Sequence, residues 1–167
     1  MIEALALTIF PALMVVIAIY DLSTMTIPNW VSLCLVFGFF TLAILSGMAW
    51  PEIGVHTAIA GGILLITFTL FSLGYIGGGD AKVMAASSLW VGWNLLLPYF
   101  LIVTILGGGL TLALLFFRKI PLPAALISQT WISRLHEHDG GIPYGIAIAV
   151  GGLIVFTDSL VFRVSVM

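Results

Sequence analysis

The sequence predicts an all-α protein, a polytopic membrane bundle of about six transmembrane helices. Three observations predict it. Hydrophobic residues make up 62% of the 167-residue chain and charged residues only 7%, against roughly 45–50% and about 25% in soluble domains. The apolar residues gather in runs that approach the ~30 Å of a bilayer's hydrocarbon core, at about 1.5 Å per helical residue. Short segments rich in Gly, Pro, Asn and charge separate the runs, and these are turn signals. A chain this apolar would not stay dissolved as a folded globule, so lipid is both its solvent and its partner. The net charge of −2 and the lack of a basic stripe argue against nucleic acid.

The first run extends from Ala4 to Tyr20, with Glu3 the only charge before it. No basic segment precedes it, so it reads as a retained span rather than a secretory signal. Asp21 to Trp30, with Pro28 and Asn29, reads as a turn. The second run covers Trp30 to Leu45, and Gly47 to Glu52 is an interfacial turn anchored by Trp50. The third covers Ile53 to Leu73, followed by a glycine-rich break from Gly74 to Asp80. Val83 to Phe117 carries no charge and as one helix would measure roughly 50 Å, too long for one crossing. It therefore turns near Gly92, Asn94 and Pro98, giving a short fourth helix over 81–91 and a full fifth over 95–117. Arg118 to Gly141 is the main polar loop. Within it Leu126, Ile127, Trp131 and Leu135 share a helical face, which suits a segment over 124–135 lying in the membrane interface. The last run covers Ile142 to Phe156.

This division places Lys82, Arg118, Lys119 and Arg134 on one side and only Arg163 opposite. The rich side is expected to be cytoplasmic, with both termini outside. Asp21, Asp80 and the polar loop then share the cytoplasmic side.

Carboxylates near bilayer depth cost about 2.5–3.5 kcal/mol or more, so each is a functional candidate. Glu3, Glu52 and Asp158 fall at outer edges, and Glu137 and Asp139 in the polar loop. Asp21 and Asp80 remain, each where an apolar helix meets a turn on the same face. Two readings stand at this point. Both are helix-end residues in contact with water, or they form a pair. Two carboxylates within hydrogen-bonding reach share a proton and titrate in separate steps. Such a pair can take a proton from water and give one to a peptide carbonyl. Gly77, Gly78 and Gly79 precede Asp80 and would let an extended strand approach the backbone. No GKS or GKT ending follows, so this is not a phosphate-binding loop.

Other chemistry-bearing residues have blander readings. Cys34, the only cysteine, excludes an intrachain disulfide and CxxC zinc sites and reads as a small buried hydrophobe. His136-Glu137-His138-Asp139 is dense in ligand-type groups, but its neighbours point in different directions on a helix and it is not HExxH. It reads as a solvated loop, with His136 and His138 the weak metal candidates. His56 reads as a surface histidine, and Arg118 and Lys119 as anchors to anionic lipid. Lys82 either favours an ionised Asp80 or contacts headgroups and carbonyls. Ser87 and Ser88 have no histidine at their depth to serve as a base.

The segment Asp21-Leu22-Ser23-Thr24-Met25-Thr26-Ile27-Pro28-Asn29 resembles the first active-site motif of bacterial prepilin peptidases. Gly77-Gly78-Gly79-Asp80-Ala81-Lys82 resembles their second, the GxGD motif, and Ile142-Pro143-Tyr144-Gly145-Ile146-Ala147 is similar to their closing pattern. Order, spacing and the six-span layout agree, so the resemblance covers essentially the whole chain. It implies a GxGD intramembrane aspartyl protease architecture with Asp21 and Asp80 as the catalytic dyad. Gly77 and Gly79 would shape the loop, Pro28 and Asn29 would set the turn after the first helix, and Lys82 would join the substrate-binding group. The implied substrate is a prepilin or pseudopilin, cut between a basic cytoplasmic leader and an apolar helix, with pilus or secretion machinery as a further partner. The expected location is the bacterial inner membrane.

The short length resembles the Tad/Flp or CpaA-type members of tight-adherence pilus systems. Long members carry an N-terminal domain with paired cysteines associated with N-methylation, whereas this chain begins directly with its first span. The expectation is one peptidase domain over 1–167, with no methyltransferase activity and no cofactor. Two other classes fit broken apolar helices with acids, an ion-coupled transporter and a structural subunit of a pilus or secretion assembly. No internal repeat supports the first. The second would tolerate alanine at both aspartates.

Overall fold

The computed structural model describes residues 2–123, 126, 128–137 and 140–159. Among these residues there are seven helices and no strand. They are α1 (Ile2–Thr24), α2 (Asn29–Leu45), α3 (Trp50–Ser72), α4 (Gly78–Val91), α5 (Trp93–Phe117), α6 (Thr130–His136) and α7 (Tyr144–Phe156). All but the short α6 are apolar runs recognisable in the sequence.

Several helices extend past their apolar runs. α1 continues through Asp21 to Thr24 rather than turning at Asp21. Its last polar side chains bond back onto its own carbonyls: the Ser23 and Thr24 hydroxyls donate to Ile19 O at 2.6 Å and Tyr20 O at 2.7 Å. Met25 then takes a left-handed conformation, φ 52°, and its N–H donates to Asp21 O at 2.9 Å, an αL helix stop. α3 starts at Trp50 because Pro51 fits the first helical turn. Between α4 and α5 the chain turns at Gly92, φ 71°, while Pro98 lies inside α5 rather than at the turn. Of the interfacial segment expected over 124–135, residues 124, 125 and 127 lie outside the described residues, and the helix there is α6.

α4 is the central helix and packs against α2, α3, α5 and α7. It is buried at nearly every position from Ala81 to Val91, as expected of a helix surrounded by others. Its small residues Ala85, Ala86, Ser87 and Ser88 are buried and let neighbouring backbones approach. Trp90 anchors the core. Its ring lies 5.2 Å from Phe10 and 6.1 Å from Phe39 and Phe156, and its indole N–H donates to Leu35 O at 3.0 Å. Ser87 and Tyr99 share a buried hydrogen bond of 2.7 Å. His56 is not a surface residue. It is buried, stacks on Phe39, and donates from Nδ1 to Leu89 O. Cys34 is exposed rather than buried.

The outward faces are apolar. Leu65 on α3 and Ile105 on α5 are each 71% exposed, and both helices are long and apolar enough to cross a membrane. An outer surface of this kind is stable against acyl chains and not against water. The fold is that of a membrane helical protein.

Candidate active site

The C-terminal end of α1, the N-terminal ends of α2 and α4, and the N-terminal end of α7 meet around one cavity of about 880 Å³. Asp21 and Asp80 both line it, with Thr26, Ile27, Asn29, Lys82, Gly141 and Tyr144 among the other walls.

Asp21 owes its place to the continuation of α1 past the apolar run. The side chain is only 5% exposed and points at the start of α7. Gly145 N–H donates to its Oδ2 at 2.5 Å. The first N–H groups of a helix have no partner within the helix, and the dipole there favours negative charge. A carboxylate at this position satisfies both. Gly145 must be glycine for this contact: a Cβ there would lie 2.7 Å from Asp21 Oδ2 and 2.9 Å from Ile27 Cδ1.

Asp80 is the third residue of α4, and Gly77 is the N-cap. The Asp80 carboxylate lies back against Gly77, at the helix end whose dipole favours negative charge. A Cβ on Gly77 would lie 2.9 Å from Asp80 Oδ2. Gly79 faces Ile27, where a Cβ would stand 3.2 Å from Ile27 Cβ. Ile27 is thus wedged between Gly79 of α4 and Gly145 of α7. It spaces the start of α4, which carries Asp80, from the start of α7, whose Gly145 amide binds Asp21.

The remaining sequence candidates fall into three groups. Gly77, Gly79, Asn29 and Lys82 line the cavity. Lys82 Nζ donates to Asn29 Oδ1 at 2.8 Å. Pro28 is the N-cap of α2 in extended conformation, ψ 141°, and turns the chain from the first motif into α2. A second group is structural. Arg118 is buried rather than lipid-anchored, and its guanidinium donates to Leu135 O at 2.9 Å and Gly141 O at 2.8 Å. Lys119 is exposed, over the Phe116 ring. His136 donates from Nε2 to Ile120 O at 2.8 Å. His138 and Asp139 lie outside the described residues, and no group of three metal-ligand side chains occurs among the described ones. The third group, Glu52, His56 and Asp158, lines a separate cavity of about 450 Å³ at the opposite end.

The sequence assigned no role to the amide of Gly145, the Ile27 wedge or Tyr144. Two carboxyl groups on one cavity can act as acid and base toward a molecule between them.

Comparison with known proteins fits this geometry. No solved structure matches the chain. A prepilin leader peptidase/N-methyltransferase of Aeromonas hydrophila is 26% identical over 155 residues, covering 90% of this chain and 48% of the relative. The chain thus spans about half the length of that relative. The profile of the type IV leader peptidase family matches residues 8–112, a stretch that includes both aspartates and the glycine run between α3 and α4. A match over more than half of the chain, carrying both motifs in order, makes this protein a member of the type IV leader peptidase family.

Proposed function

We propose that this protein is a membrane aspartyl endopeptidase that removes the basic leader of prepilins, of the Tad/Flp or a related type, at the cytoplasmic face of the bacterial inner membrane. One observation carries the reading: Asp21 and Asp80, from helix ends 59 positions apart in sequence, line the same cavity. Burying two acids at one place in an apolar bundle is costly unless they act together.

A water held between the carboxyls attacks the scissile carbonyl carbon. One aspartate takes the water's proton while the other protonates the carbonyl oxygen. The tetrahedral species collapses as the leaving nitrogen gains a proton, and no covalent enzyme intermediate forms. The Gly145 amide holds Asp21, and Asp80 sits in the first turn of α4 against Gly77. Orientation is thereby set before substrate arrives, which is where most of the catalytic gain of such a site originates.

The cytoplasmic assignment draws on charge. Lys82 lines the cavity, Arg118 bonds Gly141 on its wall, and Arg134 donates to Ser23 O at the end of α1. Cations collect on the cytoplasmic side of membrane proteins. The methyl-transfer half of the relative's name is not carried over, because the resemblance ties that activity to paired cysteines and this sequence has one cysteine. Methyl transfer from a labelled donor to a cleaved pilin by the purified chain would overturn that part.

The test is co-expression with a candidate prepilin, read as a mobility shift at matched membrane levels. Wild type shortens the prepilin, while Asp21→Asn and Asp80→Asn each lower the rate by about 10³-fold or more, as removal of an essential catalytic group does. Cleavage by both variants at the wild-type rate would leave the aspartates structural and move the chemistry to other residues.

A further inference from the structure

A second groove of about 480 Å³ opens on the outer face of the bundle, between α2 and α3 and above α4. Small residues form its floor: Ala60 and Gly61 from α3, Ala85 and Ala86 from α4. Its walls are apolar, with Leu33 on α2 and Leu64 on α3 more than two-fifths exposed. Along α2 it runs from Asn29 to Phe40, roughly 16 Å or three helical turns. Lys82 is its single charged residue, held by Asn29 at one end. Asn29 and Lys82 also line the cavity that contains Asp21 and Asp80. The groove therefore adjoins the candidate active site, with Asn29 and Lys82 forming part of both walls.

We infer that this groove docks the apolar helix of the prepilin, with the helix's N-terminal end at Asn29 and Lys82. The inference rests on the peptidase reading above. Small residues on two adjacent helices let a third backbone approach closely, the main source of helix association in a bilayer. The length suits three turns of a helix, and the continuity at Asn29 and Lys82 sets its direction. A substrate cut just before its apolar helix must present that helix's N-terminal end to the aspartates. A helix lying in the groove does so, leaving the preceding peptide in the cavity. Specificity for helix-bearing substrates then resides outside the catalytic cavity.

Gly61 is the test position. A Cβ there meets nothing within 4 Å, and the same is true of Gly62, which does not line the groove. Gly61→Leu therefore projects into the groove from a position with room for its Cβ, and Gly62→Leu, with the same room, is its matched control. Two substrates are compared in one detergent preparation, the full prepilin and a soluble peptide that spans leader and cut but ends before the helix. Gly61→Leu is expected to raise KM for the prepilin about tenfold or more while leaving peptide cleavage unchanged, and Gly62→Leu to change neither. Equal effects on both substrates, or none on either, would overturn docking. So would displacement of co-purified phospholipid by Gly61→Leu with prepilin cleavage intact, which marks a lipid site.

A second measurement separates this inference from the peptidase reading. Leu64→Cys, in a Cys34→Ala and Asp21→Asn background, is oxidised against single cysteines placed along the prepilin helix. A cross-link to one helix face supports docking even if wild type cleaves nothing, in which case the peptidase reading fails alone. Cleavage by wild type with no cross-link at any position overturns docking alone.

Discussion

At the scale of single residues, the candidate site depends as much on absent side chains as on present ones. Asp21 and Asp80 were legible in the sequence because a carboxylate at the end of an apolar run has few bland explanations. Gly77 stood out as part of the glycine run before Asp80, whereas Gly145 was assigned no role, since its part is to leave room for an aspartate oxygen. That need appears only when α1, α4 and α7 converge. Gly145→Ala places a methyl 2.7 Å from Asp21 Oδ2, so the carboxylate must move or the helix end must shift. A cleavage rate about 10- to 100-fold lower is expected, since small misplacements of a catalytic group have effects of this size. Gly77→Ala meets Asp80 Oδ2 at 2.9 Å, and a loss of about tenfold is expected for the same reason. Both are checked by initial rates on one prepilin, normalised to folded protein by size-exclusion recovery in detergent. Wild-type rates in both would show that the aspartates do not need these glycines.

At the scale of elements, Arg118 ties together the polar connection between α5 and α7. Arg118 binds two carbonyls from different parts of that connection, Leu135 and Gly141. Its planar fork spans both, which a lysine ammonium cannot reproduce. Arg118→Lys is expected to cost about 1.5–3 kcal/mol, the loss of charge-assisted hydrogen bonds in a buried place. A lower Tm in detergent measures it. Cleavage should fall as well, because Gly141 lies on the cavity wall and leads into α7. A Tm equal to wild type would return Arg118 to the role of a lipid anchor. The same residue shows what was hidden in the sequence. Hydropathy located every apolar helix but not its ends, because polar residues such as Ser23 and Thr24 extend α1 by bonding their own carbonyls. Nor could it separate a buried polar residue with a backbone partner from one facing headgroups. Arg118 and His56 are both buried, and each owes its place to carbonyls distant in sequence.

At the scale of the whole molecule, the bundle has two chemically different ends. One holds the two aspartates and the described lysine and arginine contacts. The other holds Glu52, His56 and Asp158 around the smaller cavity. A leader peptidase whose substrate has a basic cytoplasmic leader needs the first end on the cytoplasmic side, and the cation distribution favours that side as well. The natural chain suits a direct test, because its only cysteine can be removed as Cys34→Ala. In that background Tyr75→Cys marks the aspartate end and Ala49→Cys the opposite end, and both positions are exposed. A membrane-impermeant maleimide applied to intact spheroplasts is expected to label Ala49→Cys and leave Tyr75→Cys unmodified. In inverted inner-membrane vesicles the pattern should reverse. Labelling of both from one side would break the through-membrane arrangement of α3, since residues 49 and 75 flank that helix. The reverse pattern would keep the span but put the aspartates outside. There they could not meet a cytoplasmic leader, and the proposed substrate, rather than the fold, would have to change.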